Sequence, residues 1–214
     1  AGAQGIGLWG MRGTLDAIGG FIHKEVYGKP EDENAVKEVV SFIEASKVKN
    51  ILRKSVFGQF GSLPLGMIPG LLEDVDWLRK FGIQAEHLES LILPLEGEKF
   101  SEDEMKKVYD NIKSKVGTID SFDNELVKKN LRIYLAHKKL IKDYSLDFTG
   151  VKCTFELSDH HCSPCIAQSF LMSEGYITGC TTEPKGSLMM YIMRILSDGV
   201  IFQGDIEQVE RDTS

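Results

Sequence analysis

From about residue 50 onward the chain alternates short apolar runs with longer amphipathic ones, and this limits the fold more than any other feature. A strand, a helix and a second strand in succession form a crossover unit with parallel strands, and helices must then cover both faces of the sheet. The spacing predicts strands at 54–60, 84–88, 148–155, 176–182 and 199–202. Helices are expected at 65–81, 102–115, 123–144, 159–172 and 186–196. Gly82 closes the first, and Ser101 followed by Glu102, Asp103 and Glu104 caps the second. The third carries an apolar stripe of Leu126, Leu131, Tyr134, Leu135 and Leu140. The expected architecture is therefore α/β, a doubly wound, mostly parallel sheet in three αβα layers.

Ahead of this block, Pro30-Glu-Asp-Glu-Asn-Ala opens a helix to about residue 46, with Val36, Val39, Val40 and Ile43 on one face. It reads as a surface helix. The expected organisation is part of an N-terminal α/β domain at 1–50, a Rossmann-like domain at 51–205 and, at 206–214, a tail or the start of a C-terminal domain. The chain opens on a glycine-rich run without an initiator methionine, so a fragment of a longer protein is expected.

A net charge of −7 argues against nucleic-acid binding, because neutralising phosphates requires clustered Lys and Arg. No apolar run nears the roughly 18 residues needed to cross a bilayer. Four cysteines among 214 residues do not make a disulfide scaffold, so a soluble cytoplasmic protein with reduced thiols is expected.

Two acidic residues, Glu156 and Glu183, stand where a short strand gives way to a helix. Ligands of open α/β sheets bind beyond the carboxyl ends of the strands, so both carboxylates would face one crevice. Converging carboxylates bind a hard cation or move protons. Pro184 and Gly186 fix a sharp turn after Glu183, and Asp205 follows the last expected strand as a weaker third member.

Other signals are less specific. Gly58-Gln-Phe-Gly-Ser-Leu-Pro-Leu-Gly-Met resembles a phosphate loop but fits neither the Walker pattern nor G-x-G-x-x-G, and reads better as a tight turn at the same sheet edge. Cys162-Ser-Pro-Cys165 follows His160-His161, yet Cys153 and Cys180 fall in expected strands and form no second C-x-x-C, so cysteines packed against the sheet are expected. His23, His87 and His137 show no ligand spacing; His87 reads as a strand-edge residue and His137 as a helix-surface one.

The run Asp147-Phe-Thr-Gly-Val-Lys-Cys-Thr-Phe-Glu-Leu-Ser-Asp, with Cys180-Thr-Thr-Glu-Pro-Lys-Gly-Ser-Leu-Met-Met, resembles the L-fucose isomerase and L-arabinose isomerase group. Weaker likeness covers residues 50–205. The resemblance implies an aldose–ketose isomerisation through an enediol, assisted by a divalent metal such as Mn²⁺. It makes Glu156 and Glu183 the candidate metal ligands, one doubling as acid/base. It also implies a monosaccharide substrate, a homo-oligomer and a third, histidine ligand from a C-terminal domain beyond Ser214. Two departures stand out: glutamate replaces the fucose-isomerase aspartate at 183, and Thr181 replaces the acid expected there. A non-catalytic sugar-binding or regulatory module is the main rival reading.

Overall fold

Four short strands, β1 (Val56–Phe60), β2 (Gln84–Leu88), β3 (Phe148–Val151) and β4 (Ile177–Cys180), form one sheet in the order β2-β1-β3-β4, with every neighbouring pair parallel. The computed structural model describes residues 22–62, 66–68, 71–197 and 199–204, with positions 13, 14, 17 and 19. The chain divides into two compact units, Ala1–Lys47 and Val48–Ser214. In the first, Asp32 accepts the Asn34 amide at 3.0 Å as a helix begins, and Val36, Val39, Val40 and Ile43 are all exposed. That helix, α1 (Glu33–Leu52), runs on into the second unit.

Register separates the sheet's two faces. Phe57, Phe148 and Ile177 lie side by side and enter one core with Val48, Leu52, Trp77, Leu188 and Met190. Phe57 packs against Trp77 and Phe148 at ring separations of 5.4 and 5.0 Å. Three residues on, Phe60 and Val151 point the other way, into a core with Leu93, Ile133, Leu157 and Leu171. Side chains alternate along a strand, so residues of opposite parity fill opposite cores.

The helices sort accordingly. The end of α1, α2 (Asp74–Phe81) and α8 (Pro184–Leu196) cover the first face. The second is covered by α3 (Ile92–Gly97), α5 (Glu125–Asp143), α6 (Glu156–His160) and α7 (Cys165–Ser173). A satellite core holds α4 (Glu102–Lys115) to α5 through Met105, Tyr109, Ile112, Val127 and Leu131. Ser101 and Glu104 cap α4 reciprocally: the Glu104 amide donates to Ser101 Oγ and the Ser101 amide to Glu104 Oε2. The fold is thus the expected α/β, helix-flanked parallel sheet. Among the described residues no helix is long and apolar enough to cross a membrane.

Several boundaries differ from the sequence reading. Residues 199–204 form no strand, and Val200 and Phe202 are 81% and 87% exposed, so their side chains have no core to join. The helix expected at 65–81 begins only at Asp74 (α2), after a segment containing Pro69 and Gly70, two positions outside those described. The helix expected at 159–172 is two, α6 and α7, because Pro164 has no amide hydrogen to continue it. Strand β3 stops at Val151, short of Phe155. Helix α3 had no sequence signal. Leu126 is 59% exposed, whereas Leu131, Tyr134 and Leu140 of its supposed stripe are buried.

Candidate functional site

The loops leaving β1, β3 and β4 meet at the carboxyl edge of the sheet. Gly61 has φ +89°, and a Cβ there would lie 2.7 Å from Cβ of Lys152. The Lys152 amide donates to the Phe60 carbonyl at 2.8 Å, and the Thr182 amide to the Val151 carbonyl at 3.1 Å. Thr182 Oγ1 lies 3.3 Å from the Ser62 carbonyl, tying the β4 loop to the β1 loop across β3. Strand order reverses between β1 and β3, since β1 connects outward to β2 and β3 connects outward to β4. That is where open α/β sheets form their ligand crevice.

Glu156 opens α6, five residues after β3 ends. Lys152, only 8% exposed, donates from Nζ to Glu156 Oε1 at 2.6 Å. This hydrogen bond holds the Glu156 carboxyl below the usual range against the opposing effect of burial. Its other oxygen, Oε2, is buried and has no hydrogen-bond partner. A buried carboxylate oxygen left without a donor is costly unless something positive meets it.

Glu183 is the N-cap of α8, three residues after β4. Gln203 Nε2 donates to its Oε2 at 2.6 Å, while Gln203 Oε1 is itself buried without a partner. Gly186 makes room: a Cβ there would lie 2.7 Å from Glu183 Oε2 and 2.5 Å from Gln203 Nε2. The Gln203 amide thus fixes one oxygen of Glu183. Asp205 lies outside the described residues, as do positions 63–65 of the glycine-containing loop.

Both carboxylates follow residues in the left-handed backbone region. Phe155 has φ 72°, and Thr181 and Thr182 have φ 51° and 54°. Such values are unfavourable for bulky and β-branched residues and concentrate at functional turns. Val151 and Cys180 are register partners, so the two turns leave adjacent strand ends. They then diverge, α6 to one face of the sheet and α8 to the other. Among the described residues the carboxylates share no hydrogen-bond partner, and no group of three or more His, Cys, Asp or Glu side chains is placed to hold a metal. Two cavities of about 390 and 450 Å³, one beside Ile119 and Phe170 and the other beside Trp77 and Met189, are lined by neither glutamate.

The remaining candidates resolve differently. Cys162 is buried near Asn130, whose Nδ2 is 3.6 Å from the sulfur, and burial pushes its thiol up to about 11. Cys165 is exposed at the start of α7. Cys153 and Cys180, in contrast, hydrogen-bond through their thiols, which brings Cys153 down to about 7. That contact escaped the sequence reading, because Cys153 lies in the turn past β3 and meets Cys180 only once β4 is laid beside β3. His87 stands on edge strand β2 and meets Asp74 at 2.7 Å. His137 is no surface residue: it is fully buried on α5, with Nε2 3.0 Å from Thr149 Oγ1, because α5 turns that face to the sheet.

No protein-family model matches the chain. Among curated proteins it is 23% identical over 203 residues to the sulfoquinovose isomerase of Clostridium sp. (strain MSTE9), covering 93% of this chain and 45% of that protein. It is 22% identical over 189 residues to the sulfoquinovose isomerases of Priestia aryabhattai and Priestia megaterium (strain ATCC 12872 / QMB1551), covering 87% of this chain and 42% of each. The chain therefore spans less than half the length of the curated relatives it matches. These distant similarities are to sugar isomerases, without singling out the L-fucose and L-arabinose group.

Proposed function

We propose that this chain supplies the two-carboxylate part of a metal-dependent active site that interconverts an aldose and a ketose, in the manner of L-fucose and L-arabinose isomerases. The observation carrying this is the placement of Glu156 and Glu183 in turns leaving adjacent parallel strands, beside the point where strand order reverses. Similarity to sulfoquinovose isomerases along most of the chain supports a sugar as the substrate.

The donor set suits a hard divalent cation in kind: two carboxylates, one with a buried oxygen lacking any donor. Glu156 and Glu183 would hold it, and a cation such as Mn²⁺ would polarise the sugar's carbonyl and hydroxyl oxygens. Lys152 fixes Glu156 through Oε1 and leaves Oε2 for the site, while Gln203 orients Glu183 through Oε2. One of the two carboxylates takes the proton from the carbon beside the carbonyl and returns it to the neighbouring carbon. A histidine from outside these residues completes the ligand set in this reading, within a homo-oligomer.

The test is to incubate the intact protein with Mn²⁺ and a panel of aldoses that includes L-fucose, L-arabinose and sulfoquinovose, and to assay ketose. Product from at least one sugar is expected, lost on chelation. Glu156→Gln and Glu183→Gln should each lower kcat on the order of 100-fold or more. No ketose from any sugar, in folded protein, would sink the proposal. The alternative is a sugar-binding module without catalysis. That reading requires Glu183→Gln to leave sugar affinity intact.

A further inference from the structure

The sulfur atoms nearest the candidate site form a second chemical group that isomerisation does not use. Val151 and Cys180 are register partners on β3 and β4, so their side chains leave the sheet on the same face. Cys153 follows Val151 by two residues, in the turn just past the end of β3, and its thiol meets that of Cys180. The same face carries α7, which begins at Cys165. Neither Cys153 nor Cys180 is fully buried. The Cys180 carbonyl accepts the Glu183 amide at 3.1 Å and the Cys153 carbonyl accepts the Ser158 amide at 2.9 Å, so the backbone around both sulfurs is anchored.

We propose that Cys153 and Cys180 are a reversible disulfide pair that joins the two turns bearing Glu156 and Glu183. The oxidant is a low-molecular-weight disulfide. The Cys153 thiolate attacks one of its sulfurs, forming a mixed disulfide and releasing one thiolate. Cys180 then loses its proton and attacks Cys153 Sγ, expelling the second thiolate. The protein loses two electrons and two protons; the small disulfide is reduced to two thiols. Cys162 does not compete in this scheme, for it lies in the core beside Asn130 and its thiol is held protonated by burial. Cys165, exposed at the start of α7, is the rival that disulfide mapping separates from Cys180.

Disulfide mapping of the intact protein tests this. The protein is treated with oxidised glutathione, free thiols are alkylated, and the chain is cleaved without reduction after acidic residues. Glu156, Asp159 and Glu174 then separate Cys153, the Cys162–Cys165 segment and Cys180 onto three peptides. The expected product is the Cys153 peptide joined to the Cys180 peptide, released by dithiothreitol, retained in Cys165→Ser and lost in Cys153→Ser and Cys180→Ser. A bond involving Cys162 or Cys165 instead, or alkylation of all four cysteines, overturns the inference. The bond's effect on sugar turnover rests on the function proposed above, but the bond does not. A mapped Cys153–Cys180 link in protein lacking isomerase activity would remove only the proposed function.

Discussion

At the scale of single residues, the candidate site is held by two short-range partnerships of different kinds. Lys152 gives Glu156 a full positive charge, and Gln203 gives Glu183 a neutral amide. Replacing Lys152 with Met should let the Glu156 carboxyl titrate upward toward its ordinary value, followed by carboxyl-carbon NMR. The sign for stability follows from a folded pKa below the unfolded one: the contribution is present above the ordinary glutamate value of 4.5 and fades as pH falls through the folded value, a dependence the variant should lack. Gly186→Ala is a sharper probe. Within a helix alanine is favoured over glycine by about 1 kcal/mol, yet here its Cβ displaces both Glu183 Oε2 and Gln203 Nε2. Thermal stability should hold, and on the proposed function isomerase activity should fall about 100-fold, since misplacing a reacting group by an ångström has that effect. Both glutamates were legible from sequence because each follows a strand. Their partners were not, since Lys152 becomes one only after the turn at Phe155, and Gln203 lies twenty residues from Glu183.

At the scale of elements, the helices with local signals were readable and those set by packing were not. Ser101-Glu-Asp-Glu announced α4 because the cap and its reciprocal partner sit within one turn. Ser101→Ala should cost about 1 kcal/mol, read as a shift in the urea midpoint with unchanged slope. Helix α3 holds Leu93, Pro94 and Gly97 against the rest of the fold, and Gly97 packs directly on Arg132. Six residues with an internal proline carry no periodic pattern that a sequence reading could use. The burial of His137 has the same origin: nothing within α5 says that its ring meets Phe60, 4.8 Å away between centroids, and Thr149.

At the scale of the whole molecule, His137 connects the fold to pH. Burial drives its pKa from 6.5 to about 3, so the native state keeps the ring neutral where the unfolded chain protonates it. The unfolded state therefore binds more protons between those values, and stability drops as pH falls from 6.5 toward 3, by about 1.4 kcal/mol per pH unit for one proton. Denaturant unfolding across that range should show this slope, and His137→Gln should flatten it. The parallel sheet itself was readable because buried strands alternating with helices admit few other arrangements. The fifth strand was not formed, since an apolar run at 199–202 carries no information about whether a core exists to receive it.

The left-handed residues ahead of each glutamate bear on any attempt to improve this protein by selection. Phe155, Thr181 and Thr182 occupy backbone angles that glycine would accept with less strain. A library screened only for heat resistance would be drawn to glycine at those positions. It would thereby loosen the two turns that aim the carboxylates, so the hardiest clones should be among the least active.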